Sequence, residues 1–259
     1  MLTQLYNTIL YEPIFNLLVW FYNIIPGNDV GLAIIALTIV IKLVLFPFSK
    51  QGIKSQKALQ ELQPKLEQLK KKHKNDQQGL ARATMELYKK EKISPFSSCL
   101  PLLIQLPFLI AVYHVFRKGL TNDQSLDILY SFVVNPGSLN PIAFGFLDLA
   151  KANWILALLA GAAQFWVSKM LVAKKQPNVP GAKDEGMTAV MNKQMTYFMP
   201  LITIFIGLSL PGGLTLYWFL TTLLTGVQQL VMFRKKKSSI VPSQITTTEE
   251  VKENKINEN

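Results

Sequence analysis

The chain has 259 residues, 49% of them apolar, and a formal net charge of +11 at pH 7. Its apolar residues gather in several runs long enough to cross or nearly cross a bilayer, which excludes an ordinary soluble domain. A single cysteine, Cys99, excludes a disulfide framework and leaves no pair or cluster for a metal.

Residues 1–27 contain no lysine or arginine and interleave apolar stretches with Asn7, Glu12, Pro13, Asn16 and Asn23. Tyr6, Tyr11, Phe15, Trp20, Phe21 and Tyr22 make the segment aromatic, the pattern of an amphipathic helix lying in the membrane interface. A first membrane span is the alternative, with Glu12-Pro13 placed badly at its middle. There is no basic leader, small-residue cleavage site or lipobox cysteine, so a cleaved signal or organellar transit peptide is not expected. Pro26-Gly27-Asn28 reads as a turn.

A first span follows over 28–49, and the apolar run inside it carries one cation, Lys42. A lysine at membrane depth costs a few kcal/mol on insertion scales, so it is a functional candidate. The competing account is snorkelling, because Lys50 lies only eight residues on, roughly 12 Å along a helix. Thr38, one turn earlier, shares the face of Lys42.

Residues 50–95 read as a cytoplasmic helical hairpin. Leu59, Leu62, Leu66 and Leu69 form a narrow seam on the first helix, in which Pro64 predicts a kink or restart. The turn spans Lys74 to Gly79, and Leu80, Thr84, Leu87 and Tyr88 continue as the second helix. Further spans are predicted at 96–116, 152–173, 195–210 and 214–233. They are separated by an extracytoplasmic loop at 117–151, a cytoplasmic loop at 174–194 and the Pro211-Gly212-Gly213 turn. The tail, 234–259, opens with a basic cluster and becomes too polar to bury a core, so it is expected to be disordered.

Basic residues orient the chain. Between Lys50 and Lys92 there are twelve lysines and arginines against five acids, and the 174–194 loop and the tail are also basic. The 117–151 loop holds three basic residues and the N-terminal segment none. The expected fold is therefore an all-α polytopic membrane protein with five transmembrane helices, N-terminus outside and C-terminus inside.

Polar residues within the predicted spans recur on defined faces: Lys42 with Thr38, Gln105, Gln164 with Ser168, and a stripe of Thr215, Trp218, Thr222, Thr225 and Gln229. Any one threonine can simply glue helices together. Several spans each donating a polar face, with one buried cation, point rather to a hydrated binding cavity. Met187, Met191, Met195 and Met199 recur every four residues, which packing explains and a flexible apolar binding surface would also use. No HExxH, GxSxG or Walker glycine loop is present, and His73, His114 and Cys99 fall in different parts of the chain. A non-enzyme without cofactor or catalytic residues is expected.

These parts, in this order, resemble the YidC/Oxa/Alb membrane protein insertases. The resemblance is carried by the basic residue in the first core span, LQPKLEQLKKK in the hairpin, and SPFSSCLPLLIQLPFLIAVYHVF in the second span. AAQFWVSKML in the third span and GGLTLYWFLTTLLTGVQQ in the last complete it, from about Tyr11 to Lys237. It implies a hydrophilic groove open to cytoplasm and lipid, lined by Lys42, Gln164 and Trp218 with Gln105 nearby. Thr38 and Thr222 join that set by their place on the same faces. The family's bacterial pattern usually has arginine at the position of Lys42; lysine keeps the charge and loses the planar fork. Implied partners are newly made membrane proteins and the bilayer, with the Sec translocon, a targeting receptor and the ribosome as further candidates, the last through RNA contact by the basic tail. Two rival readings are a small-solute transporter, disfavoured by the absence of an internal repeat, and a membrane-complex assembly factor without insertion activity.

Overall fold

The computed structural model describes residues 1–73, 76–94, 100–120, 123–171 and 194–234. Cys99, Met187, Met191 and the tail beyond Arg234 lie outside the described residues. The described part is predominantly helical: α1 (Leu2–Tyr6), a π-helical turn (Asn7–Tyr11), α2 (Glu12–Ile24), α3 (Val30–Val44), α4 (Phe46–Lys72), α5 (Gln77–Lys90) and α6 (Leu100–Gly119) come first. After a two-stranded hairpin, β1 (Ile142–Ala143) and β2 (Leu147–Asp148), come α7 (Trp154–Leu171), a second π-helical turn (Gln194–Phe198), α8 (Met199–Gly207) and α9 (Gly212–Arg234).

The N-terminal segment runs as one helical stretch through Glu12-Pro13. Pro13 lies in the first turn of α2, where its missing N–H costs least, and the wider π-helical turn just before it absorbs the interrupted ladder. The polar residues that interrupt the segment in sequence fasten the 117–151 loop. Buried Asn16 donates to the Ile128 carbonyl at 3.1 Å and accepts from the Tyr130 N–H at 2.6 Å. Asn23 donates to the Val134 carbonyl at 2.6 Å, and the Tyr22 hydroxyl accepts from the Asn140 N–H at 3.1 Å. Between these contacts Phe15, Leu18 and Val19 are fully buried in the core with Leu37 of α3 and Val112 and Val115 of α6.

α3 begins at Asp29, whose carboxylate accepts from the Leu32 N–H at 3.0 Å as an N-cap. It ends at Val44, and the chain bends by 67° into α4. Pro47, in the first turn of α4, has no N–H to offer the Leu43 carbonyl, so the α3 ladder cannot run on. α4 then continues unbroken through Pro64: the break predicted there occurs at Leu45 instead. Asp76 starts α5 by accepting from the Gly79 N–H at 2.8 Å, three residues earlier than the leucine pattern suggests. α4 and α5 pack together, Leu62 is the buried member of the leucine seam, and an ion pair joins Lys65 to Glu91.

Among the described residues, Gly212–Phe233 is long and apolar enough to cross a bilayer by itself. Val30–Val44 and Phe46–Lys72 meet that standard only as a bent pair, and Trp154–Met170 and Thr196–Gly207 are apolar but shorter. α7 packs against both α8 and α9. Helices gain little from hydrophobic burial in lipid, so close approach over small residues has to hold them. A Cβ on Gly226 would come within 2.3 Å of the Trp166 ring, and one on Gly161 within 2.3 Å of Ile204.

Candidate functional site

Five of the six predicted groove residues sit on α3, α7 and α9; the sixth, Gln105, is on α6. Lys42 lies in the last turn of α3, where the helix dipole favours a cation. Its Nζ donates to Thr225 Oγ1 of α9 at 2.7 Å. The Thr225 hydroxyl in turn donates to the Thr221 carbonyl at 2.7 Å, so its proton is committed and a lone pair faces the ammonium. Of the three donors a lysine carries, this satisfies one; among the described residues no carboxylate pairs with Lys42. The side chain thus turns toward α9.

Three further polar contacts converge on α9. Gln105 Nε2 of α6 donates to the Tyr217 hydroxyl at 2.7 Å. From α4, Ser49 Oγ donates to Gln228 Oε1 at 3.0 Å, and Gln229 Nε2 donates to Gln56 Oε1 at 3.4 Å. Tyr217, Thr225 and Gln228 are spaced eight and three residues apart, so they share one face of α9 over roughly 16 Å. Gln228 Nε2 and Gln229 Oε1 are buried without a partner among the described residues. An orphan donor beside an orphan acceptor costs about 1–3 kcal/mol for each group unless water or a polar ligand satisfies it.

The seam overlaps the predicted stripe in part. Thr225 and Gln229 belong to both, but Tyr217, Gln228, Ser49 and Gln56 were not among the expected residues. Trp218 lies about 100° round the helix from Tyr217 but within about 20° of Thr225 and Gln229, and Thr222 about 60° from Thr225; Trp218 is half-buried and Thr222 buried. Gln164 is half-buried on α7, and among the described residues neither it nor Trp218 is hydrogen-bonded to Lys42. Thr38 is fully buried and its hydroxyl donates to the Ile34 carbonyl of its own helix at 2.6 Å, facing the core rather than the ammonium. Its i−4 spacing from Lys42 put it on the right helix face, but helix–helix packing covers that part of the face. The 3-4 periodicity of α9 could not find Tyr217, because a stripe through 217 and one through 218 have the same spacing.

Among the described residues no three His, Cys, Asp or Glu side chains come together as a metal site. The chemistry the seam offers is non-covalent: one ammonium with donors to spare, hydroxyls, and carboxamides with both donor and acceptor capacity.

Residues 20–239 match the model of the 60Kd inner membrane protein family. Over 208 residues the chain is 33% identical to the membrane protein insertase YidC of Fusobacterium nucleatum, covering 80% of this chain and 88% of that protein. The membrane protein insertase YidC of Tolumonas auensis is 34% identical over 226 residues, 86% of this chain and 36% of its own length. That of Aeromonas salmonicida is 31% identical over 220 residues, 83% of this chain and 35% of its own length. The chain thus spans about a third of two of these relatives and most of the other. A match over most of the chain, taking in the whole polar seam from Lys42 to Gln229, means that the chain belongs to the 60Kd inner membrane protein family.

Proposed function

We propose that this chain is a bacterial plasma-membrane insertase: it passes newly made membrane proteins into the bilayer along the polar seam of α9, without nucleotide hydrolysis or covalent chemistry. The observation that carries the reading is the Lys42 ammonium, held by one hydrogen bond among the described residues, at the meeting of α3 and α9, with two donors left for a passing polar group. The relatives' shared name supports it.

In this reading the chain crosses the membrane five times, N-terminus outside and C-terminus inside. α3, α6, α7, α8 and α9 mark the spans, and the α4–α5 hairpin lies in the cytoplasm. The spans at α3, α7 and α8 need the residues adjoining them to reach full bilayer length. A client's polar or acidic N-terminal segment enters from the cytoplasm and exchanges water for the seam's donors and acceptors. Lys42, Gln105, Gln164 and Trp218 border its path, with Thr38 and Thr222 shaping the helix faces behind them. The wet seam shortens the apolar distance that segment must cross. The client's hydrophobic helix then partitions sideways into lipid, and that transfer drives the step. The hairpin receives the client or its targeting partner, and the Sec translocon and ribosome are further candidate partners on the basic cytoplasmic face.

A photo-crosslinker placed at Trp218 or at Val227, which lies on the opposite side of α9 and is exposed, tests this during translation of a single-span client. Crosslinks at Trp218 but not Val227, lost when the α4–α5 hairpin is deleted, are the expected result. No client at either position, with the protein present at normal levels, would shift the reading to a transporter or an assembly factor.

A further inference from the structure

The β1–β2 hairpin is a built feature that insertion along α9 does not use. Its strands are joined by a tight turn, Ala143–Phe146, closed by the Phe146 N–H donating to the Ala143 carbonyl at 3.2 Å. The two central residues, Phe144 and Gly145, sit at φ +54° and +80°, the turn geometry that matches strand twist. Glycine adopts it freely, whereas phenylalanine is strained there and stays only where its surroundings over-determine it. Two contacts do so. The Phe144 N–H donates to the Asp29 carboxylate, the same group that caps α3. The Phe144 ring also lies so close to Gly31 that a Cβ there would come within 2.7 Å of it.

The hairpin is tied to the starts of three helices. Asp29 fixes it to α3. The first N–H groups of α9, on Gly212 and Gly213, donate to the Lys151 and Leu149 carbonyls at 2.8 and 2.9 Å. Trp154, three residues beyond Lys151, opens α7. The turn is therefore level with the outer ends of these helices, and it is held there rigidly. From this level it presents Phe146, 81% exposed, while Trp154 is 63% exposed. Below Trp154 the exposed apolar surface of α7 continues through Ile155, Leu158 and Leu159. Aromatic rings at that depth belong to the headgroup region, where an apolar body and a wet surround are both accommodated.

We propose that the β1–β2 turn is a lipid-interface anchor, its Phe146 ring seated among the headgroups of the outer leaflet at the level of Trp154. Lipid is the occupant because the Phe144-Gly145-Phe146 tip carries no charge and the first turns of α7, to whose start the hairpin leads, expose apolar side chains. The proposal rests on α3, α7, α8 and α9 crossing the bilayer.

Nitroxide labels at Phe146→Cys, Ser138→Cys and Phe205→Cys, each in a Cys99→Ser chain reconstituted into phosphatidylethanolamine–phosphatidylglycerol vesicles, test it by collision with oxygen and with a water-soluble nickel chelate. Phe205 is exposed on α8 and reports the lipid core; Ser138 is exposed in the 117–151 loop and reports water. At Phe146 the ratio of oxygen to nickel accessibility should lie between the two, several-fold above that at Ser138 and below that at Phe205. A Phe146 label that behaves like Ser138 while Phe205 remains oxygen-rich overturns the anchor alone, and would leave a water-facing surface for a protein partner. A nickel-accessible Phe205 would remove the spanning arrangement and the anchor with it.

Discussion

Lys42 is the residue on which the proposed chemistry turns, and its single protein partner makes two substitutions informative. Lys42→Met keeps the stem and removes the charge. It should lower insertion of clients with an acidic translocated segment about tenfold, the loss of one charge-assisted hydrogen bond, and change neutral clients little. Protease protection in proteoliposomes measures both, and equal losses for the two client types would assign Lys42 to packing. Thr225→Val keeps the shape but removes the acceptor, leaving a half-buried ammonium unpartnered. It should cost about 1–3 kcal/mol of stability by detergent unfolding, with Thr225→Ser recovering most of it. Outside the membrane, a hydrogen bond from Lys151 is the chief cause holding the Asp148 carboxyl below the ordinary carboxylate range. A depressed pKa contributes stability above the unfolded value and loses it as pH falls through the folded one. The β1–β2 region should therefore keep its geometry from neutrality into mild acid and loosen only in strong acid. An NMR titration of Asp148 would check this, with the midpoint moving up in Lys151→Met.

At the scale of elements, two devices set the geometry: a break and a close approach. The break is at Leu45, where Pro47 denies α3 its next hydrogen bond and α4 leaves at 67°. Ser49 and Gln56 then lie against the Gln228-Gln229 end of α9. The close approach is Gly226 under the Trp166 ring, which lets α7 and α9 pack together. Gly226→Ala forces that ring aside and should destabilise the protein by roughly 1–3 kcal/mol, the usual result of overpacking, seen as a lower Tm in detergent. An unchanged Tm would show that the ring moves freely and that α7 is not fixed by this contact. The sequence ended the first span just past Pro47, close to the break, but also expected a kink at Pro64 that does not occur, and Gly226 is one small residue among many apolar ones. Proline breaks a helix only where no tertiary contact offsets the lost bond, and α4 at Pro64 remains packed on α5.

For the whole molecule the prediction concerns orientation. In a Cys99→Ser chain, a cysteine at Ser138 should react with an impermeant maleimide from outside intact cells, and one at Lys71 only after the cytoplasmic face is opened. The reverse pattern would invert the proposed topology and place the polar seam's α4 end outside. What the sequence determined by itself is local or additive: helices from apolar periodicity, an orientation expected from the lysine distribution, and family membership expected from ordered motifs. Such properties depend on spacing and composition, which a linear string contains. Only the tertiary structure decided which face of α9 receives Lys42 and Gln105, that Thr38 turns to the core, and that the asparagines of the N-terminal segment fasten a loop more than a hundred residues away. Helical periodicity repeats identically on every face, and a hydrogen bond between distant positions leaves no trace in spacing, so packing alone could choose among them.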